Sequence, residues 1–160
     1  MTILGIDPGL ATSGYAIVRA DGDRLTIRDA GVFRTDPKAD LATRLAQIDG
    51  DVSALLDQWP VQALAIERLY SHYRHPRTAV LMGHARGVII CAAGRRGIEV
   101  RQFGATEVKR FLTGNGRAGK AQVQQAVMSV YGLTRVPEPH DVSDALALAY
   151  CGLQTDRNDT

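Results

Sequence analysis

Residues 2–17 read TILGIDPGLATSGYAI. An apolar run from Thr2 to Ile6 closes on Asp7, the chain turns through Pro8 and Gly9, and a second apolar run begins near Ser13. A carboxylate at the tip of a strand about to be buried is costly unless it is paired or put to use. Asp-Pro-Gly is also ordinary turn chemistry. The stretch alone leaves both readings open, and the rest of the chain has to choose between them.

Working outward, SGYAIVRADGDRLTIRDAGVFRT holds two strand-like runs around a polar Asp21-Gly22-Asp23 turn, the pattern of a β-hairpin. From Asp40 to Trp59 the residues Leu41, Leu45, Ile48, Val52, Leu55 and Leu56 follow helical spacing, and Pro60 stops it. VQALAIE is a short, nearly continuous apolar run, as expected of a strand covered on both faces. TAVLMGHARGVIICAAG then reads as a helix and GIEVRQF as a strand. The remainder is helical: ATEVKRFL, a glycine-rich loop TGNGRAG, KAQVQQAVMSVYG, and finally HDVSDALALAYCGL. Three strands followed by alternating helix and strand predict an α/β fold, a mixed sheet flanked by helices.

The totals bound the rest. A chain of 160 residues with 45% hydrophobic and 22% charged residues suits one domain, expected over 1–153, with 154–160 as a flexible C-terminal tail. No apolar stretch reaches the roughly 18 residues of a membrane span, and the start carries no charged-then-apolar leader. The expectation is a soluble, cytoplasmic protein with no membrane partner. Cys91 and Cys151 lie among apolar neighbours without metal-ligand spacing, so both are expected to be buried, reduced thiols. Charge is unevenly divided. Between Arg68 and Lys120 stand eleven Lys or Arg against Glu99 and Glu107, a net +9, while the remainder carries −7. A one-sided excess of this size points to a polyanionic partner such as nucleic acid.

Two strand-like runs end in an acid, TILGID at Asp7 and ALAIE at Glu67, and in an α/β sheet functional groups collect at the carboxyl ends of strands. In HDVSDALALAY, Asp141 and Asp144 are three residues apart, on one face near the start of a helix. Acids also favour the first turn of any helix. Four together are different, because clustered carboxylates repel unless cations neutralise them, and hard oxygen donors suit Mg²⁺ or Mn²⁺. Two such ions, about 3.5–4 Å apart, would activate water for phosphodiester cleavage.

With these residues in view the chain resembles the RuvC-type Holliday junction resolvases, within the ribonuclease H-like fold. GIDPGLATSGYA, AIERLY, GHARGV, EVKRFLTGNGRAGKAQVQ and HDVSDALALA carry the likeness over nearly the whole length. The resemblance implies a five-stranded mixed sheet, Asp7, Glu67, Asp141 and Asp144 as catalytic acids and metal ligands, and two Mg²⁺ or Mn²⁺ ions per site. It also implies a homodimer acting on four-way junction DNA by paired symmetrical nicks that leave 5′-phosphate and 3′-hydroxyl ends, in partnership with the RuvA–RuvB branch-migration complex. In some members of the family a histidine stands where Asp141 stands here; His140 is its neighbour, and its role stays open.

Candidate nucleic-acid contacts follow. Tyr70 lies three residues beyond Glu67 in a run with Ser71, His72, Tyr73, Arg74, His75 and Arg77. An aromatic there stacks on an unpaired base, or else anchors the loop, and Arg74 and Arg77 pair with phosphates; by resemblance Tyr70 matches a stacking aromatic, while Tyr73 has no assigned role. GNGRAGKA superficially satisfies G-x-x-x-x-G-K, but Ala121 replaces the Ser or Thr that would hold Mg²⁺, and a helix rather than a strand precedes it, so ATP binding is rejected. The glycine amides and Lys120 at a helix start still suit a nucleic-acid phosphate. By resemblance Lys109 and Lys120 are functional lysines; Arg110 and Arg117 are further candidates for phosphate contacts, against the default of a solvated charge at each. The helix from Thr78 to Ala93 is apolar on more than one side, which fits either a central core position or a dimer interface. Competing readings are a YqgF-type RNA-processing nuclease of the same fold, an actin-like ATPase, which needs a second domain, and a non-catalytic junction-binding protein.

Overall fold

The structure is a computed structural model and describes residues 1–69 and 76–158, the side chains of 156–158 excepted. Five strands form one mixed sheet: β1 (Thr2–Asp7), β2 (Thr12–Asp21), β3 (Arg24–Arg34), β4 (Ala63–Glu67) and β5 (Glu99–Phe103), in the order β3-β2-β1-β4-β5. The first three run antiparallel, joined by the expected hairpin with Gly22 at φ 59°, and β4 and β5 add on parallel. The helices are α1 (Leu41–Gln58), α2 (Pro76–Gly94), α3 (Ala105–Thr113), α4 (Lys120–Tyr131) and α5 (His140–Asn158).

The sheet is covered on both sides because its strands alternate. On β1, Leu4 and Ile6 join one core with Ile48, Val52, Leu55 and Leu56 of α1 and Ala85, Ile89, Ala92 and Ala93 of α2. Ile3 joins the other, with Val142, Ala145, Leu146, Ala149 and Cys151 of α5. Each fully buried aliphatic side chain of this kind contributes about 1.5–3 kcal/mol relative to leaving it in water. Helix α1 begins where Asp40 accepts the Thr43 amide at 2.9 Å and ends before Pro60, as the spacing predicts.

Contact between α5 and the sheet is unusually close, because small residues face each other across it. A Cβ on Gly5 would collide with the Ala145 carbonyl and stand 2.7 Å from the Ala149 nitrogen. One on Gly14 would collide with the Asp141 carbonyl and stand 2.8 Å from its Cβ, and one on Gly152 would run into Ile3. Three glycines therefore fix the height of α5 above β1 and β2 along its whole length. Its first turn is brought down onto the end of β1, where Asp7 pairs in register with Gly14.

One cysteine departs from expectation. Cys151 is buried, but Cys91 is exposed on the outer side of α2, with Arg95 Nη1 3.4 Å from its sulfur. Apolar neighbours in sequence did not bury it, because on a helix they point in other directions.

Candidate active site

With a period of two, Ile3, Gly5 and Asp7 share one face of β1, and Ala63, Ala65 and Glu67 share one face of β4. Ile3, Ala63 and Ala65 belong to the core under α5, so both strand-end acids point to the α5 side of the sheet. The strands are parallel neighbours, Ile6 opposite Ile66, so the two acids emerge side by side at the carboxyl edge. Helix α5 delivers Asp141 and Asp144 from its first turns above that edge.

Asp7, Glu67 and Asp144 line one cavity of about 310 Å³, with Lys109 of α3 and Lys120 of α4 in its wall and Val108, Val123 and Leu148 as apolar lining. The four acids act on one another electrostatically. Burial, then Asp144, Glu67 and Asp141, push the Asp7 carboxyl up from an ordinary 3.8 to about 8. Glu67 is raised by burial and by Asp144, against the pull of Arg86. Asp144 is open to solvent at the cavity mouth yet walled by protein, and burial raises it; His140 and Lys120 pull it back, and Asp141 adds to the rise. Asp141 does not line the cavity. It approaches Gly14 through its backbone and Cβ, and its Oδ1 lies 3.8 Å from Nε2 of the exposed His140.

Among the described residues no three His, Cys, Asp or Glu side chains stand as a ready-made ligand group. The acids converge at Coulombic range rather than closed around one point, Asp7 feeling the charge of all three others. The donor set nevertheless fits hard divalent cations. It is all oxygen, partly desolvated, and too acidic in composition for its own lysines to neutralise.

Of the predicted nucleic-acid contacts, Lys109 and Lys120 face the cavity, while Arg110 and Arg117 are exposed outside it. Arg77 is exposed on the first turn of α2 and does not line the cavity. Tyr70, Tyr73 and Arg74 lie outside the described residues. The glycine-rich loop is ordered by its own polar atoms. Gly114 caps α3 at φ 76°, Asn115 Oδ1 accepts the Arg117 amide at 2.9 Å, and Gln122 Oε1 accepts the Gly119 amide at 2.8 Å.

Sequence reasoning missed two supports of the site. Ser13, 1% exposed, accepts the Gly9 amide at 3.0 Å and donates to the Gly9 carbonyl at 2.7 Å, closing the turn that follows Asp7. Thr35 holds the next residue by donating to the Leu10 carbonyl at 2.6 Å. The second support is Arg86, whose Nε donates to the Glu67 carbonyl at 2.8 Å. A lone arginine inside the small and apolar run of α2 was the available signal, since a charge there needs a partner.

Comparison with known proteins came out in one direction. Residues 3–152 match the family model of crossover junction endodeoxyribonuclease RuvC. The chain is 49% identical over 150 residues to the enzyme of that name from Rhodopirellula baltica, covering 94% of this chain and 84% of the relative. The structure of Thermus thermophilus RuvC superposes with a TM-score of 0.93 at 31% identity, over 100% of this chain and 98% of that one. The same protein in complex with Holliday junction substrate matches at a TM-score of 0.93 and 30% identity, over 100% and 97% of the two chains.

Proposed function

The chain belongs to the RuvC family of crossover junction endodeoxyribonucleases, with the ribonuclease H-like fold of that family, and from this we propose that it resolves four-way DNA junctions by hydrolysing one phosphodiester in each of two opposed strands. The observation that carries the reading is the gathering of Asp7, Glu67 and Asp144 on one cavity that faces two lysines, where burial first and then the neighbouring acids push the Asp7 carboxyl to about 8. A site built only to bind a polyanion has no use for four carboxylates, which repel phosphate. That disfavours the purely junction-binding alternative.

Membership of this nuclease family implies divalent metal. In our reading Asp7 and Glu67 hold it from the sheet and Asp141 and Asp144 from α5, as two Mg²⁺ or Mn²⁺ ions. Bound there, the cations would supply Lewis-acid stabilisation of the charge that develops at the scissile phosphate and lower the pKa of the attacking water. The chain's own residues do the rest. Lys109 and Lys120 neutralise non-bridging phosphate oxygens from the opposite wall, and the apolar lining limits bulk water. Water attacks the phosphorus, the bond to the 3′ oxygen breaks, and that oxygen leaves as the 3′-hydroxyl while the phosphate stays on the 5′ end. No side chain is placed as a covalent nucleophile.

Arg77, Arg110 and Arg117, with Arg74 and Tyr70, would grip the arms and centre of the junction. Two opposed nicks require two sites, so we read the protein as a homodimer; Val80, 60% exposed on α2, supplies apolar surface for such an interface. Partnership with a RuvA–RuvB branch-migration complex and a cytoplasmic setting rest on the resemblance; among the described residues no helix is long and apolar enough to cross a membrane. The test is cleavage of a labelled four-way junction beside a linear duplex, with Mg²⁺ and with chelator. Paired, metal-dependent nicks in the junction that vanish in Asp7→Asn support the reading. Metal-dependent cutting that survives Asp7→Asn would falsify the assignment, and equal cutting of linear duplex would point to a general nuclease.

A further inference from the structure

We propose that Arg86 is a positioning residue that sets Glu67 for metal binding by bridging the ends of β4 and β5. The proposal rests on the reading of Glu67 as a metal-holding acid. Arg86 reaches from the middle of α2 across the carboxyl edge of the sheet, half-buried. Its Nε donates to the Glu67 carbonyl at 2.8 Å, and its Nη2 donates to Gln102 Oε1 on β5. Glu67 is the last residue of β4, opposite Phe103 in register. The peptide that follows it keeps one ladder bond, from the Arg68 amide to the Phe103 carbonyl, and its other polar group, the Glu67 carbonyl, is taken by Arg86.

The bridge continues. Arg68 Nη2 donates to the Gln102 carbonyl at 2.9 Å, its amide donates to the Phe103 carbonyl at 2.9 Å, and its Nη1 lies 3.4 Å from Glu107. Glu107 in turn accepts the Gly104 amide at 2.7 Å, closing the N-terminus of α3, the helix that brings Lys109 to the cavity. A chain of polar contacts thus runs from the Glu67 backbone to the helix on the opposite wall, with Arg86 as its link to the rigid core. The planar fork serves a carbonyl on one strand and an amide oxygen on the next from two separate nitrogens in fixed geometry; a lysine keeps the charge but offers one nitrogen for both.

Arg86→Lys therefore separates positioning from charge. Binding of Mn²⁺ to the DNA-free protein, read from the electron paramagnetic resonance of free Mn²⁺, is expected to weaken by about 10-fold, the range found for residues that orient metal ligands. Cleavage of bound junction slows by about 10–100-fold, while junction affinity in chelator stays within about 2-fold of wild type. In a Glu67→Gln background, Arg86→Lys causes no further loss of Mn²⁺ affinity, because its effect passes through Glu67. Wild-type Mn²⁺ affinity in Arg86→Lys, or a loss that adds in full to that of Glu67→Gln, overturns the proposal. If Arg86→Lys does not fold, Gln102→Leu, which removes one end of the fork, carries the same expectation at about 3-fold, and wild-type affinity there overturns it equally. Should Glu67→Gln bind Mn²⁺ and cut as wild type does, the reading of Glu67 itself falls and the proposal falls with it, an outcome distinct from any result on Arg86 alone.

Discussion

Replacing Asp7 by Asn is expected to stabilise the metal-free protein while abolishing its activity. Between the ordinary 3.8 and about 8, the folded chain keeps a proton on Asp7 that the unfolded chain has released. Folding then takes up a proton, so stability is highest at low pH, falls as pH rises through this window, and has lost the whole contribution above about 8. At about 1.4 kcal/mol per pH unit, the deficit at pH 7 is on the order of 4 kcal/mol. Asn has the shape of the protonated acid and nothing to ionise, so Asp7→Asn recovers that deficit. Even half of it raises Tm by roughly 4–8 °C in a chain of this size.

The assay is thermal unfolding in chelator at pH 5.5, 7.0 and 8.5, followed by the fluorescence of Trp59, the single tryptophan, which packs against the core under α1 and α2. Wild type should lose stability across the series, and Asp7→Asn should lose distinctly less. Glu67 and Asp144 are raised too, so the variant retains a shallower slope of the same sign. Saturating Mg²⁺ should close or reverse the gap by favouring the ionised wild-type site. A chelated wild type that grows more stable between pH 5.5 and 8.5, or an Asp7→Asn variant no more stable than it at pH 7, would refute the view that these acids are held desolvated and close together.

Other outcomes follow from the same geometry. Gly14→Ala pushes a methyl group into the Asp141 backbone and should cost about 1–3 kcal/mol in denaturant unfolding, with a larger loss of cutting than of junction binding, because the first turn of α5 must lift. Gly50→Ala, mid-helix in α1 with open space at its Cβ, is the matched control: a gain of about 1 kcal/mol and unchanged cutting. Lys120→Met should slow single-turnover cleavage by about 100-fold. Arg117→Gln, exposed outside the cavity, should instead weaken junction binding and lower the slope of log affinity against log salt by about 1, with little change in the rate once bound.

The strand acids were legible because burial and alternation are both written in sequence. Ile3–Ile6 and Ala63–Ile66 carry no polar side chain, so an acid at each end stands out. The α1 pattern and its stop at Pro60 were legible for the same reason. The descent of α5 onto the sheet was not. It depends on Gly5, Gly14 and Gly152, and a missing side chain looks alike in sequence whether it relieves a collision, as at Gly14, or faces open space, as at Gly87. Cys91 was misjudged because α2 mixes inward and outward positions among residues of similar polarity. Arg86 escaped notice because its partners are a backbone carbonyl and an amide on two other strands, which no spacing along the chain encodes.

The glycine contacts bear on how such a site is maintained. Acids can be held together only by a frame stiffer than their repulsion, and the stiffness here comes from contacts too close for a side chain to intervene. Gly5 and Gly14 let main chain meet main chain between β1, β2 and α5, and a backbone contact has few rotamers with which to yield. Ser13 does the same for the turn after Asp7 with two hydrogen bonds to a single residue, Gly9. Ser13→Ala, which removes the partner of both Gly9 groups in this half-buried turn, should cost about 1 kcal/mol and let the Asp7 end of β1 loosen. Hydrogen exchange at the amides of Gly9 and Leu10 measures this directly, since faster exchange there with β4 unaffected locates the slack at the turn. Unchanged protection at both amides would mean that the turn is held by Thr35 and the glycine contacts alone, and that Ser13 does not hold Asp7 in place.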